Sequence, residues 1–197
     1  MTAPTLTLAQ LRKLDPCRDR RDVAENALPK RRPITAAQAR EFGMSFSDIM
    51  WVANAVARTD KDVERRLRMW AADCSARVLH IFESERPGDD RPRKAIEATR
   101  AYVRGEIDAA ALANAADAAY TAADAAFAYT AYAADAAAFA AARAAYTAAN
   151  AAAWAAAFAA AGATEEAWQF DRLIAWLSDD EPEPWPLPDL LHAEAKS

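Results

Sequence analysis

Apolar residues spaced by three and four dominate the first half of the chain, and that period predicts helices rather than strands. Thr7 is a capping type ahead of Leu8, Leu11 and Leu14, and Asp15-Pro16 stops the short helix they mark. Pro29 to Pro33 reads as a basic, proline-bounded loop, after which Thr35 is placed to cap a helix from Ala36 to Phe42 that ends at Gly43. Ser47 is placed to open the next one, in which Ile49, Val52, Ala53 and Val56 share a face. Asp60 begins the longest patterned helix, whose core stripe is Val63, Leu67, Trp70, Ala71, Cys74, Val78, Ile81 and Phe82. Its outer face is assigned Arg65, Arg66, Arg68 and Arg77, and Pro87-Gly88 ends it. A further helix is predicted from about Pro92 to Arg104, closed by Gly105.

Beyond Asp108, a predicted N-cap, the pattern changes. Thirty-five of the 53 residues from 109 to 161 are alanine, which makes helix the favoured state and disorder a poor one. A degenerate heptad runs through it: AADAAYT at Ala115–Thr121, AADAAFA at Ala122–Ala128, then AARAAYT at Ala141–Thr147 after a slip. One unbroken helix of that length would extend roughly 80 Å, so a break is expected near residues 128–134. Small faces there allow close approach of helix axes, near the roughly 8 Å lower end of the usual range. Gly162 to Glu166 combines a glycine stop, the capping type Thr164 and acids in a first turn. The helix after it has Trp168, Leu173, Ile174, Trp176 and Leu177 as its apolar face. The fold class is therefore all-α, a multi-helix bundle with a closely packed alanine-rich C-terminal half. Its organisation reads as a basic helical half (1–105), an alanine-rich half (106–178) packed on it as one domain, and an acidic proline-rich tail (179–197).

Charge sharpens that division. Residues 1–105 carry 21 Lys+Arg against 15 Asp+Glu, a balance of +6, whereas residues 106–197 carry 3 against 14, a balance of −11. The halves can attract each other, or each can face a different partner, or the acids can simply keep an alanine-rich half in solution. Asp117, Asp124, Asp135 and Arg143 within the alanine run argue against a transmembrane span. Two cysteines, Cys17 and Cys74, are too few for a disulfide scaffold. With no secretion signal at the N-terminus, they point to reduced thiols in a cytoplasmic protein.

No catalytic motif is present: the chain lacks a glycine-rich phosphate loop, GxSxG, HExxH and CxxC. His80 and His192 stand far apart, and the Glu-x-x-His pairs of helical di-metal proteins are missing. Asp117, Asp124 and Asp135 therefore read as polar positions of a tight bundle, and neither metal nor cofactor is expected. The densest polar constellation is Asp89-Asp90-Arg91-Pro92-Arg93 with Glu97 and Arg100 following at helical spacing. Two readings stand: intrahelical pairing worth roughly 0.2–0.5 kcal/mol per pair, or a guanidinium fork that grips a carboxylate or phosphate. Asp73 is placed to accept a hydrogen bond from an arginine of the next helix. Cys74 reads as a small buried side chain.

Trp70-Ala71-Ala72-Asp73-Cys74-Ser75-Ala76-Arg77-Val78-Leu79 with Glu83, and Pro87 through Ala98 with Arg100 and Gly105-Glu106, resemble the signature of the immunity proteins of bacterial polymorphic-toxin systems. Leu8, Leu11, Leu14 and Cys17, and the run Asp48 to Ala53 with Trp51, fit the same pattern, which covers roughly residues 6–160. The chain departs from the family in its alanine-rich half, where histidines and arginines give way to Tyr129, Thr130, Tyr132, Asp135 and Phe139.

The resemblance implies a non-enzymatic protein-binding module that neutralises a cognate toxin by occlusion. An acidic half suits a basic toxin, without direct nucleic-acid binding or membrane association. A small-ligand or enzymatic pocket built from Asp73, Arg91, Arg93 and Arg100 is the alternative. So is self-association as a homo-oligomer through the alanine-rich face. Asp117, Tyr120, Asp124, Phe127, Tyr132 and Asp135 complete the candidate binding residues.

Overall fold

Side-chain caps decide where the first helices begin. In the computed structural model, which describes residues 2–127 and 163–188 apart from Asp15, Cys17 and Arg31, three capping boxes recur. Glu85 and residues 120–127 and 163–165 are described as backbone only. Thr7 and Gln10 exchange bonds at the start of α1 (Leu8–Lys13), and Thr35 and Gln38 do so at the start of α3 (Ala36–Glu41). Ser45, not Ser47, caps α4 (Phe46–Ala57). Its hydroxyl accepts from the Asp48 N–H at 3.2 Å while the Asp48 carboxylate accepts the Ser45 N–H at 3.2 Å. Only Ser45 has a carboxylate three residues on to complete the exchange. Helix α2 spans Arg18–Ala27. A ribbon pairs β1 (Thr5–Leu6) with β2 (Ile34–Thr35), antiparallel with Thr5 opposite Thr35 and Leu6 opposite Ile34. Two residues per strand is all the β-structure among the described residues.

Asp60 caps α5 (Lys61–Glu85) by accepting the N–H groups of Asp62 and Val63. Helix α6 is Arg91–Val103, and α7 is Ala109–Phe127, its start held by the Asp108 carboxylate on the Ala111 N–H at 2.8 Å. Helix α8 is Ala163–Trp176, so Thr164 lies just inside it. Gly88 and Gly105 follow α5 and α6 at φ 89° and 76°, left-handed values that favour glycine. These eight helices confirm the all-α expectation. The break expected near residues 128–134 lies outside the described residues, as does most of the alanine-rich packing.

The chain divides into two compact units, residues 1–67 with 170–182 and residues 68–169 with 183–197, so α5 and α8 each contribute to both. In the first unit, Leu8, Leu11, Ile34, Ile49, Ala53 and Val63 are buried with Leu173, Trp176 and Leu177 of α8 and its end. In the second, Trp70, Ala72, Ala76, Leu79 and Phe82 of α5 are buried, as are Ala95 and Ile96 of α6 and Ala116 and Ala119 of α7. Alanines on α7 let α6 lie against it, with Leu112 and Ala116 packed by Ala98, Tyr102 and Ile107. Cys74 is buried, in keeping with a packing role.

The arginines assigned to the outside of α5 are a correction. Arg66 is fully buried in the first unit, its Nε on Asp62 at 2.7 Å and its Nη1 on the carbonyls of Trp176 and Ser178 at 2.8 and 2.7 Å. These are the orphan acceptors at the end of α8, and a cation there also suits the helix dipole. Arg65 pairs with Asp62 and Glu181, Arg68 lies over the Tyr102 ring and Arg77 over the Trp168 ring. Helical spacing predicted a solvated stripe because it cannot show which acceptors a neighbour offers.

Substituting Arg66→Ala strands buried acceptors and a carboxylate, and should lower stability by about 3 kcal/mol or more. Lys61→Ala removes a pair whose lysine is 87% exposed and should change it by less than about 0.5 kcal/mol. Urea-unfolding midpoints of the two variants against the unaltered chain check this; equal effects would contradict it.

Candidate functional site

Four of the residues that carry the family resemblance, Asp73, Glu83, Arg93 and Arg100, lie on one face of the second unit, and the chain's own residues 183–188 lie on that face. Prolines at 182, 184, 186 and 188 hold the segment extended and leave few backbone N–H groups to satisfy. The Trp185 N–H donates to Asp73 Oδ1 at 2.7 Å. Arg100 Nη2 donates to the same carboxylate oxygen at 3.2 Å and to the Trp185 carbonyl at 2.5 Å. Asp73 is fully buried, so its charge depends on these donors. Burial also pushes the Arg100 guanidinium below its usual pKa, an effect that the charge and hydrogen bond of Asp73 partly offset.

A second grip lies further along. Arg93 makes a bidentate pair with Glu83, Nε–Oε1 at 2.7 Å and Nη2–Oε2 at 2.8 Å, and its Nη2 also donates to the Pro188 carbonyl at 2.7 Å. Each guanidinium thus has an acid on α5 and a carbonyl on the proline-rich segment. Between the two grips, Trp185 meets the Trp168 ring edge-on at 5.0 Å, and Arg77 lies 4.3 Å over Trp168 and 5.5 Å from the Trp185 ring centre. Trp185 and Leu187 pack on the buried cluster of Ala72, Ala76, Leu79, Ala95, Ile96 and Ala119. Pro184 and Pro186 face outward and are exposed. The face engages the segment through two of its carbonyls, one of its N–H groups and two alternate side chains.

Of the residues singled out from the sequence, Asp73 and Arg100 meet directly, and Arg93 shares their segment. The tie between α5 and α6 through Asp73 is therefore present. Arg93 and Arg100 have found acids on α5, where sequence spacing had offered intrahelical pairs. Arg91 belongs elsewhere: it grips Asp89 across the turn at 2.8 and 2.6 Å. That hydrogen-bonded guanidinium holds the Asp89 carboxyl below the usual carboxylate range, against the opposing push of burial. Asp89 also accepts the Arg91 N–H, so it takes the capping role at α6, while Asp90 has no cap hydrogen bond and pairs with Lys94. Asp117 is exposed on α7. Tyr120, Asp124 and Phe127 belong to the α7 backbone, with side chains outside the description, and Tyr132 and Asp135 lie outside the described residues. Sequence reasoning passed over Trp185; a tryptophan flanked by prolines in an acidic segment was the available signal.

Among the described residues no three His, Cys, Asp or Glu side chains gather as a metal site, and no helix is long and apolar enough to cross a membrane. A cavity of about 90 Å³ lies in the first unit, walled by apolar groups that include Leu6, Leu11, Ile34, Met44, Ile49 and Val56.

A family model described as Imm-5 like putative immunity protein matches residues 57–176, more than half of the chain. The chain belongs to this family. No curated protein and no solved structure matches it. The matched span of this immunity-family chain takes in α5, α6 and both arginine grips, including Asp73, Glu83, Arg93 and Arg100. The segment they hold, residues 183–188, lies beyond it.

Removing the buried carboxylate with Asp73→Ala leaves the Arg100 charge and the Trp185 N–H without it, and should cost about 3–5 kcal/mol. Asp73→Asn keeps an acceptor and should cost less. Thermal melts of the two variants test this, and equal losses would show that the charge on Asp73 is immaterial.

Proposed function

We propose that this immunity-family chain acts without catalysis, neutralising a cognate toxin by binding and occluding its active surface. The observation that carries the reading is where the charged groups of the matched span go. Asp73, Glu83, Arg93 and Arg100 are engaged with one another and with the chain's own backbone, not presented to an open cleft. Such a constellation supports a rigid binding scaffold over an enzyme, whose acids and bases must reach a substrate. The partner is a protein, and a basic one, such as a nuclease, suits the −11 balance of residues 106–197. Exposed Asp117, Glu166, Asp179, Asp180 and Glu183 contribute to that field. Acidic surfaces accelerate encounter with basic partners and mimic the phosphates a nuclease binds.

The test pairs recovery with rescue. Affinity capture from the native host should recover a toxic protein, and co-expression of the chain should restore growth to cells producing it. Charge reversal with Asp117→Lys and Asp124→Lys should weaken the complex by about tenfold at low salt, with a shallower salt dependence. Unchanged affinity at low salt removes the acidic half from the interface. Capture of a small molecule with no protein partner sinks the reading itself.

A further inference from the structure

The proline-rich segment is bound as a peptide ligand is bound. Three polar contacts run from side chains of α5 and α6 to its main chain: to the Trp185 N–H, the Trp185 carbonyl and the Pro188 carbonyl. Its two inward side chains, Trp185 and Leu187, are two positions apart and remain partly exposed, so the docking is shallow. Arg100 is paired with Asp73, and Arg93 with Glu83, by bonds that involve no atom of residues 183–188. Each guanidinium therefore has an acid partner that the segment does not supply. Preorganised donors aimed at carbonyls, beside an aromatic platform of Trp168 and Arg77, constitute a groove for an extended chain.

We propose that the α5–α6 face is a peptide-binding groove, occupied in cis by residues 183–188, and that a protein partner binds there by inserting an extended segment with an aromatic residue, a proline and an aliphatic residue in succession. The partner's chemistry follows from the one segment seen to fit: Trp185-Pro186-Leu187, with the aromatic and aliphatic side chains inward and the proline outward. The chain's own segment acts as a tethered competitor, so it sets a threshold that weak or mismatched segments do not pass. This inference rests on the protein-binding reading above and names its surface.

The probe is a dye-labelled peptide with the sequence of Glu183 to Pro188, titrated against the full chain by fluorescence anisotropy. The full-length double variant Trp185→Ser with Leu187→Ser, whose own segment is weakened, should bind it at least about tenfold more tightly than the unaltered chain. Adding Arg93→Gln should reverse that gain. Equal binding to all three forms overturns the groove. Hydrogen exchange on the unaltered chain gives a second measurement that does not depend on the variant folding. Excess peptide should speed exchange of the Trp185 amide and leave the α5 and α6 amides unchanged, whereas no acceleration overturns the proposal. Dimers that exchange their own segments, with no toxin-derived segment competing, would make a second copy the occupant and overturn the partner assigned here. If Arg93→Gln abolishes peptide binding yet toxin neutralisation persists in full, the groove is not the interface and the inference falls while the immunity reading stands. If no form neutralises any toxin but the peptide result holds, the immunity reading falls and the groove remains.

Discussion

A fully buried carboxylate has to be answered from within the protein, and in the second unit Asp73 sets that demand. One oxygen of Asp73 takes a guanidinium from α6 and a backbone N–H from residue 185. The same guanidinium takes the carbonyl of residue 185. Helix, helix and extended segment are thereby joined at one point, with an aspartate at the centre that no solvent reaches. Apolar burial supplies most of the driving force for such a unit, but it is non-directional. The ion pair supplies direction, since a shifted helix would leave a charge unpaired in a low-dielectric interior.

The first unit answers a similar demand with the signs reversed. Its buried ion is the Arg66 guanidinium, which meets Asp62 and the carbonyls that end α8. In both units an arginine closes a place where the backbone has no partner of its own: the end of a helix in one, a run of alternating prolines in the other. Arginine suits both because its planar fork presents several donors in fixed directions. A lysine would satisfy the charge without holding two acceptors at set angles.

This arrangement also shapes the functional reading. A constellation of acids and arginines in a sequence suggests chemistry, yet these side chains face inward and bind the chain that carries them. The described residues exposed at the surface carry both signs: Asp117 on α7 and Asp179, Asp180 and Glu183 after α8, beside bases such as Lys61, Lys94 and Arg104. The chain belongs to an immunity-protein family, and its arginine grips act as scaffold, each holding helix, helix and extended segment together.

Most of the helices were legible in the sequence because their causes are local, although α2 was not predicted and α4 begins at Ser45 rather than Ser47. Thr7, Thr35, Asp60 and Asp108 begin helices by bonds that reach two or three residues, and Gly88 and Gly105 end them through a left-handed backbone that other residues resist. The apolar stripe of α5 was equally plain, as its period is a property of the helix. Even the link from Asp73 to an arginine on the next helix could be anticipated. The destination of Arg66 could not, because the carbonyls it serves lie 110 and 112 residues away. Nor could the partner of Arg93, since helical spacing offered Glu97 as readily as the fold supplies Glu83. Local propensity and capping, which act over one turn, determined the elements and the fold class. Only the tertiary structure decided which buried charges meet, because burial makes an unpaired charge intolerable and the fold alone determines which acceptor stands opposite.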